Sequence, residues 1–272
     1  MFRTLVGGAV ALCLLAVGCK GDSLDPNDPN SVDTSVPKPT SNNEPPGFTP
    51  VANRGFTHLE EDNWIWGGEQ SAYQEMNDAG APQSPSPIGR VTMPAGFPSG
   101  GSPIHFERNI RPSDHVYLNT WFRLSSNWQS NPIADALIAF WAGDQPRIYW
   151  GLRPDSTGAI HPAAEIVTDK VPGGDLWLDP NQQNVTVSLG AWHHVELEIQ
   201  SVANSDGTGK FVCWFDGTLV ALYNNVPYDV VPQGRHWQML QVGPAWGGIT
   251  QPLNQNQTLD FDHLYASDSP IQ

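Results

Sequence analysis

The feature that most constrains the fold is an alternation of apolar and polar residues with a period of two that begins at Val116. The alternate positions hold Val116, Leu118, Thr120, Phe122 and Leu124, and Tyr117, Asn119, Trp121 and Arg123 lie between them. A period of two places successive side chains on opposite faces of a β-strand, so this pattern predicts a strand with one buried face. No window of similar length has a helical stripe, although residues 66–76 and the turn near Ala134 are candidates for short helices. We therefore predict an all-β fold.

Other segments have the same strand character. Further strands are predicted at residues 136–142, 147–152, 163–168, 185–189, 237–242 and 258–266. Residues 191–223 contain three alternating runs with turns at 204–207 and at Asp216-Gly217, and an Asp-Gly pair suits a tight hairpin because glycine accepts a positive φ. This segment predicts a three-stranded meander. The proline- and glycine-rich residues 77–101 are predicted to form a long loop packed on the domain.

The amino-terminal residues predict export. Arg3 is followed by an uncharged apolar run, which is typical of a signal peptide and is short for a membrane-spanning helix. The run ends at Leu15-Ala16-Val17-Gly18-Cys19, which resembles the lipobox of bacterial lipoproteins. The resemblance implies that residues 1–18 are removed and that Cys19 carries the lipid, which is the only membrane contact expected.

The residues after Cys19 predict a tether. Residues 19–51 are rich in Pro, Asn and Asp and contain little to bury, so we predict a disordered linker before a domain at residues 52–272. Position 20 is Lys and not the Asp associated with inner-membrane retention in some bacteria. The expected location is therefore the outer membrane or the cell surface.

Charge and cysteine content exclude some functions. The net charge of −15 repels phosphate backbones, so a nucleic-acid partner is not expected. The chain has three cysteines, of which Cys13 lies in the signal and Cys19 at the lipid position. Cys213 alone cannot form an internal disulfide, and its position between Phe211 and Phe215 predicts a small core residue and not a nucleophile.

Several segments resemble a known superfamily. They are Tyr117 to Gln129, Trp192-His193-His194-Val195-Glu196-Leu197, Trp214-Phe215-Asp216-Gly217 and Leu259-Asp260-Phe261-Asp262-His263-Leu264-Tyr265-Ala266-Ser267. In this order they are similar to the concanavalin A-like lectin/glucanase superfamily, in its laminin G-like and polysaccharide-lyase-like branches. The resemblance implies a jelly-roll sandwich of two antiparallel sheets, with a concave side where sugars bind or are cleaved.

The catalytic motifs of that superfamily are missing. Its glucanases use a Glu-x-Asp-x-x-Glu strand, whereas Glu60-Glu61-Asp62 is not followed by another Glu until Glu69. Alginate-lyase motifs of the Gln-x-His and Tyr-x-Lys-x-Gly-x-Tyr-x-Gln kind are also missing. Glu196 and Glu198 share one face of a strand and are interpreted as solvated. The sequence therefore favours binding over catalysis.

Polysaccharide is the predicted ligand. Aromatic rings stack on sugar rings while neighbouring polar groups bind hydroxyls. The predicted ligand-binding residues are Tyr117, Asn119, Trp121, Arg123, Arg147, Tyr149 and Arg153. Among the tryptophans, the pattern predicts packing roles for Trp150, Trp192 and Trp214 and rim or site positions for Trp121, Trp141 and Trp177.

Two alternatives remain open. A lyase acting on an acidic polysaccharide needs a cation, a base and an acid, which Tyr149, Arg147, Arg153 and His194 would supply. An adhesion or scaffolding module with a protein partner is the other alternative, because laminin G-like folds also serve that role.

Calcium is the one cofactor that the sequence suggests. Asp260 and Asp262 lie on one face of the closing strand and would supply carboxylate oxygens to it. The histidines do not have the spacing of zinc ligands, so no zinc site is predicted.

Overall fold

The computed structural model describes residues 52–268, except for 57–58, 62, 84–86, 144–145, 170, 172, 202–206, 229–235 and 249–250. The predicted signal peptide, Cys19, the tether and most of the 204–207 turn lie outside these residues. The described residues form an all-β sandwich of two antiparallel sheets, so the predicted fold class is confirmed. No helix in this part of the chain has the length and apolar character needed to cross a membrane.

The strands are named in chain order. They are β1 (Ala52–Arg54), β2 (Ile65–Gly68), β3 (Tyr73–Met76), β4 (Ile88–Met93), β5 (Ile104–Ser113), β6 (His115–Leu124), β7 (Asp135–Trp141), β8 (Arg147–Pro154), β9 (Ile160–Val167), β10 (Asp175–Leu178), β11 (Trp192–Gln200), β12 (Gly209–Phe215), β13 (Thr218–Val226), β14 (Trp237–Trp246) and β15 (Gln257–Ser267). A single 3₁₀ turn at Gln70–Ala72 joins β2 and β3.

The strands divide into two sheets. Sheet 1 has the order β13-β12-β11-β6-β15-β4-β3, with β1 also paired to β15. Sheet 2 has the order β10-β9-β8-β7-β14-β5-β2. The inner faces of the two sheets form the main hydrophobic core, in which Phe122 of sheet 1 meets Trp150 of sheet 2 at 5.7 Å between ring centroids. Each sheet therefore has one outer face that is available for function.

The predicted meander is confirmed as β11, β12 and β13. Its tight turn holds Asp216 at φ 48° and Gly217 at φ 75°, the positive φ pair that two-residue hairpins use. Cys213 is buried in the main core, as predicted, and burial raises the pKa of its thiol to about 12.

The structure corrects three sequence predictions. Residues 77–101 are not only a loop, because β4 lies within them and is a central strand of sheet 1 between β15 and β3. Residues 185–189 form no strand, although the Val187 amide donates to the Ile160 carbonyl oxygen at 2.8 Å. The segment 66–76 is two short strands around a 3₁₀ turn, and the residues near Ala134 are not helical.

Candidate functional site

The predicted ligand-binding residues lie on opposite sides of the molecule. Tyr117, Asn119, Trp121 and Arg123 are on the outer face of sheet 1, because the alternate residues of β6 fill the core. Arg147, Tyr149 and Arg153 are on the outer face of sheet 2, because Ile148, Trp150 and Leu152 fill the core. The structure therefore does not bring these seven residues into one site.

The outer face of sheet 1 carries a closed ion-pair network around Asp260. This carboxylate is 2% exposed and accepts hydrogen bonds from Arg90 Nε at 2.6 Å and from Arg123 Nη2 at 2.6 Å. Arg123 Nη2 also lies 2.7 Å from Asp78 Oδ2. The Asp260 oxygens thus already have cationic partners.

The second predicted calcium ligand has a different partner. Asp262 Oδ2 accepts a hydrogen bond from the Gln83 backbone amide at 2.7 Å, and burial raises the pKa of Asp262 to about 6. Within the described part of the chain, no group of three or more His, Cys, Asp and Glu side chains is arranged to hold a metal ion. Asp260 and Asp262 therefore do not present the set of free carboxylates that calcium requires.

Replacing Asp260 with Asn tests the ion-pair interpretation. The change leaves two partly buried guanidinium groups without their shared anion, so we expect the free energy of unfolding to fall by about 3 kcal/mol. Urea unfolding of the wild type and of Asp260→Asn, each with calcium and with chelator, measures this effect. A calcium-dependent gain in wild-type stability that disappears in the variant would instead support a metal site.

The other polar residues of sheet 1 also have structural partners. His194 stacks on Trp121 with 4.5 Å between ring centroids, and its Nδ1 lies 3.5 Å from Glu196 Oε1. His194 is therefore on the face opposite Tyr149, and the four predicted lyase residues do not meet. Glu198, interpreted from the sequence as solvated, is 6% exposed and bridges Lys210 and His115.

The outer face of sheet 2 carries a row of residues that crosses six neighbouring strands. The row is Trp177 of β10, Glu165 of β9, Tyr149 of β8, Ala139 of β7, Gln241 of β14 and Glu107 of β5. Ala139 is the only small side chain in the row, and it separates Tyr149 from Gln241. The two flanking strands are roughly 10 Å apart, so the row has a gap at its centre.

Beside this row, small residues form the floor of a groove. They are Ala136 on β7, Gly151 on β8, Ala163 on β9, and Gly243 and Ala245 on β14. At Gly151 the chains approach so closely that a Cβ would overlap the backbone carbonyl oxygen of Asp135. The floor of the groove therefore lies below the neighbouring row of larger side chains, because it is formed by backbone.

Tyr149 divides the groove into two clefts. The His105 cleft is lined by His105, Gln241, Tyr149, Ala139 and the small residues of β7 and β14. The Trp177 cleft is lined by Trp177, Glu165, Asp135, Tyr149 and the small residues of β8 and β9. Both clefts include Ala136 and Tyr149, so together they form one continuous groove.

Tyr149 is the central polar group of the groove. Its hydroxyl oxygen is hidden from solvent, although the ring is only partly buried. Burial raises the pKa of Tyr149, and Arg147, through a hydrogen bond and its positive charge, opposes that rise without cancelling it. Tyr149 therefore keeps its proton at neutral pH and can donate it.

In the His105 cleft, three side chains are linked through one carboxylate. Glu107 Oε1 accepts from Gln241 Nε2 at 3.3 Å and lies 3.3 Å from His105 Nε2. The His105 contact lowers the pKa of Glu107 against the effect of its partial burial. Glu107 is therefore an ionised anchor that orients the His105 ring and the Gln241 amide.

In the Trp177 cleft, Glu165 is a buried carboxyl. It is 5% exposed, its Oε1 has no hydrogen-bond partner, and it lies opposite Tyr149 in the strand register. Burial, with a further contribution from Asp175, raises the pKa of Glu165 to about 8. Glu165 is therefore largely protonated at neutral pH.

Two arginines stack on the tryptophans at the rim. Arg147 lies 4.1 Å from the Trp141 ring centroid, and Arg153 lies 4.5 Å from that of Trp177. Arg153 is also paired with Asp179 at 2.9 Å. Trp177, predicted at a rim or site, thus lines the groove, and Trp141 lies beside the Tyr149 ring on the same outer face, whereas Trp121 is on the other face.

A second constellation has the connectivity of a catalytic triad. His193 Nε2 is 3.1 Å from Ser188 Oγ, and His193 Nδ1 is 2.7 Å from Asp216 Oδ2. However, Nε2 also lies 2.8 Å from the Ser188 carbonyl oxygen, to which it must donate. Burial opposes charging of His193, but the Asp216 and Ser188 contacts raise its pKa overall. A ring that donates from both nitrogens cannot accept the serine proton, so this group fastens the hairpin to β11.

The similarity of this chain to known proteins is found in its three-dimensional structure. No protein-family model and no curated protein matches the sequence. Solved structures do match: a double mutant of the alginate lyase Aly36B with a bound alginate tetrasaccharide has a TM-score of 0.59 at 16% identity, over 76% of this chain and 88% of that one. The domain shares its jelly-roll fold with this lyase.

Two further structures support the jelly-roll assignment. The endo-β-1,4-glucuronan lyase of the fungus Trichoderma reesei matches with a TM-score of 0.54 at 18% identity, over 81% of this chain and 96% of that one. The alginate lyase of the marine Aplysia kurodai matches with a TM-score of 0.57 at 11% identity, over 82% and 100% of the two chains. The concanavalin A-like resemblance in the sequence is therefore confirmed at the level of the fold.

Sequence reasoning missed most of the groove residues of the jelly roll. His105, Glu107, Gln241 and Glu165 were not singled out, because they are spread over three strands, β5, β14 and β9, and no local motif joins them. The usable signals were Tyr149, predicted to bind ligand, and Trp177, predicted at a rim or site. Only after the strand order is known do these residues form a row.

Proposed function

We propose that the groove on sheet 2 binds a uronate-containing polysaccharide and cleaves it by β-elimination. The observation that carries this proposal is the position of the Tyr149 hydroxyl, which is hidden from solvent beside Arg147 where the two clefts meet. The fold shared with alginate and glucuronan lyases supports the same function.

β-Elimination makes three chemical demands on the groove. A base removes the proton on the carbon next to the uronate carboxylate, and a donor of hydrogen bonds or positive charge stabilises the resulting anion. An acid then protonates the leaving glycosidic oxygen as the C–O bond breaks and a double bond forms. The base therefore has to reach the proton next to the carboxylate, and the acid has to reach the glycosidic oxygen of the same sugar ring.

The groove contains residues for each demand. A neutral His105 that donates its Nε2 proton to Glu107 leaves Nδ1 unprotonated, as a base requires. The Gln241 amide supplies a donor for the carboxylate, and Arg147 supplies positive charge beside Tyr149. Tyr149 supplies the acid, because its raised pKa keeps the phenol protonated. The gap at Ala139 leaves room for the reacting ring between Gln241 and Tyr149.

Incubation of purified residues 52–272 with a panel of uronate polymers tests the proposal. Cleavage produces an unsaturated uronate, which is followed by its ultraviolet absorbance and by an increase in reducing ends. An increase in reducing ends without ultraviolet absorbance, or no cleavage of any polymer, would refute lyase activity.

Carbohydrate binding without chemistry is the second candidate. It is favoured by the two rim tryptophans, Trp141 and Trp177, which flank the groove with stacked arginines. For this function we expect Trp177→Ala to weaken oligosaccharide affinity up to about tenfold by calorimetry, since aromatic contacts contribute up to about 1.5 kcal/mol. Unchanged affinity would remove Trp177 from the ligand site. Adhesion to a protein partner has no comparable observation in its favour.

Lipid anchoring through Cys19 is part of the proposal. The lipobox-like segment before Cys19 is its support. Labelling of the full chain with a radioactive fatty acid, compared with Cys19→Ser, tests it. We expect label only on the wild type, and equal labelling of both proteins would contradict the anchor.

A further inference from the structure

Glu165 is the middle of three neighbouring residues in the Trp177 cleft. In the strand register it lies between Tyr149 of β8 and Trp177 of β10, and all three residues line the cleft. Neighbouring strands are about 5 Å apart, so a sugar ring that fills the space between the two aromatic rings lies over Glu165. The small residues Gly151 and Ala163 form the floor beside it. A ligand in this cleft is therefore within reach of the Glu165 carboxyl.

The surroundings of Glu165 keep this carboxyl protonated at neutral pH. The side chain is 5% exposed, and its Oε1 has no hydrogen-bond partner. The neighbouring cation, Arg153, is paired with Asp179 at 2.9 Å and stacks on Trp177. A buried carboxylate without a partner is costly, so the group holds a proton instead. The pKa of Glu165 is accordingly raised to about 8, and most of this carboxyl is neutral at pH 7.

The other ionisable groups around Glu165 have roles of their own. The groups that face it are Tyr149 and Arg153 of β8, Asp175 of β10 and Asp135 of β7. The Asp175 charge raises the pKa of Glu165, and the Arg153 charge lowers it by less. The Asp135 carboxyl is fully buried and accepts hydrogen bonds from the Trp128 indole and the Asn131 amide. Glu165 is therefore the carboxyl of this cleft that is left to bind a ligand.

A protonated carboxyl distinguishes between the polar groups of an acidic sugar. Its O–H can donate to a carboxylate, and such hydrogen bonds to an anionic oxygen are roughly twice as strong as neutral ones. Ionised Glu165 would repel the same carboxylate, so only the protonated form binds it. A sugar hydroxyl both donates and accepts, and it pairs with either form. A carboxylate ligand therefore holds the Glu165 proton in place, whereas a hydroxyl ligand does not.

We propose that Glu165 binds, through its own proton, the carboxylate of a second uronate in the Trp177 cleft, so that substrate binding takes up protons above neutral pH. This inference rests on the proposed function for the position of the groove. The reacting ring lies beside His105, and the second uronate is the sugar on the other side of the scissile bond. Glu165 is then a binding residue whose protonation sets the upper pH limit for tight binding, separate from the base and the acid of the reaction.

Calorimetry on the full chain carrying Tyr149→Phe, which is expected to bind without cleaving, tests the inference. The ligand is a mannuronate tetrasaccharide, titrated at pH 8 in two buffers with different ionisation enthalpies. About half of the Glu165 groups are ionised at this pH, so we expect binding to take up about half a proton per ligand. Between pH 7 and pH 9 the protonated fraction falls about tenfold, and we expect the affinity to fall in proportion. Unchanged affinity without proton uptake would overturn the inference.

Glu165→Gln in the same background assigns the proton to this residue. The amide keeps the size of the side chain and a hydrogen-bond donor but does not titrate. We therefore expect affinity within about threefold of the parent at pH 7, with neither proton uptake at pH 8 nor a decline at pH 9. The matched control, Glu75→Gln, makes the same chemical change at an exposed position on β3 of the opposite sheet and should keep both effects. Proton uptake that persists in Glu165→Gln would belong to another group, such as Asp135, and would contradict the assignment.

Cleavage assays on the wild type separate this inference from the proposed function. Unsaturated product from a uronate polymer, without proton uptake on binding, leaves the lyase in place and removes the role of Glu165. Proton uptake that depends on Glu165, without unsaturated product from any polymer, supports the role of Glu165 while the lyase fails. No binding of the tetrasaccharide at any pH refutes both.

Discussion

Tyr149→Phe is expected to lower kcat on a cleaved polysaccharide by about 10²–10⁴-fold, the range that a positioned general acid contributes. The substitution removes one oxygen atom from the centre of the groove and keeps the ring that separates the two clefts. The oxygen loses its contact with Arg147, but this guanidinium keeps its stacking on Trp141, so little stability is lost in the free protein. We therefore expect KM to change by less than threefold and the unfolding curve to match that of the wild type.

A second tyrosine provides the control for this experiment. Tyr265 is 2% exposed and lies on the outer face of sheet 1, which is the opposite side of the sandwich. Tyr265→Phe makes the same chemical change and is expected to retain wild-type kcat. Full activity of Tyr149→Phe, or equal losses in both variants, would place the proton donor elsewhere.

The second large effect concerns stability and pH. The pKa of Glu165 is about 8 in the folded protein and near its ordinary value of 4.5 in the unfolded chain. Because the folded state holds this proton more tightly, its contribution to stability is complete below pH 4.5 and is lost as the pH rises towards 8. Each pKa unit corresponds to about 1.4 kcal/mol, so the loss amounts to several kcal/mol. We expect wild-type stability to fall across this range.

Glu165→Gln removes this titration while retaining the shape of the side chain. Relative to the wild type, the variant should gain roughly 3–5 kcal/mol of unfolding free energy between pH 4.5 and pH 8. The pH dependence will not vanish, because burial also raises the pKa of Asp135 to about 8. Urea unfolding followed by tryptophan fluorescence at several pH values measures the two curves. Parallel curves would mean that Glu165 ionises normally in the folded protein.

The sequence predicted those strands whose own residues alternate clearly between apolar and polar side chains. The strand β6 could be recognised from the sequence because its core residues and its outer residues differ sharply in polarity. In contrast, β4 is a six-residue strand enclosed by prolines and glycines, and its central position depends on pairing with β15, 170 residues further along the chain at Arg90 and Asp260. Such long-range pairing has no local signature.

The site was less accessible from the sequence. Alternation correctly separates Tyr149 from the core residues of β8, and Tyr117 from those of β6, but it cannot tell which sheet each strand joins. The seven predicted residues were therefore grouped as one site although they occupy two faces. Burial also depends on neighbouring strands, and for that reason Glu198 was interpreted as solvated when it is buried in an ion-pair cluster.

The close approach of β7 and β8 at Gly151 restricts how this protein could change its substrate. A side chain at that position would collide with the Asp135 carbonyl oxygen, and one at Gly243 would lie 2.7 Å from the Ile104 carbonyl oxygen. Single substitutions therefore cannot reshape the base of the groove without separating the strands. New specificities, natural or engineered, would have to be built on the surrounding wall at positions such as Trp141, Trp177 and Asp175, where the backbone leaves room for alternatives.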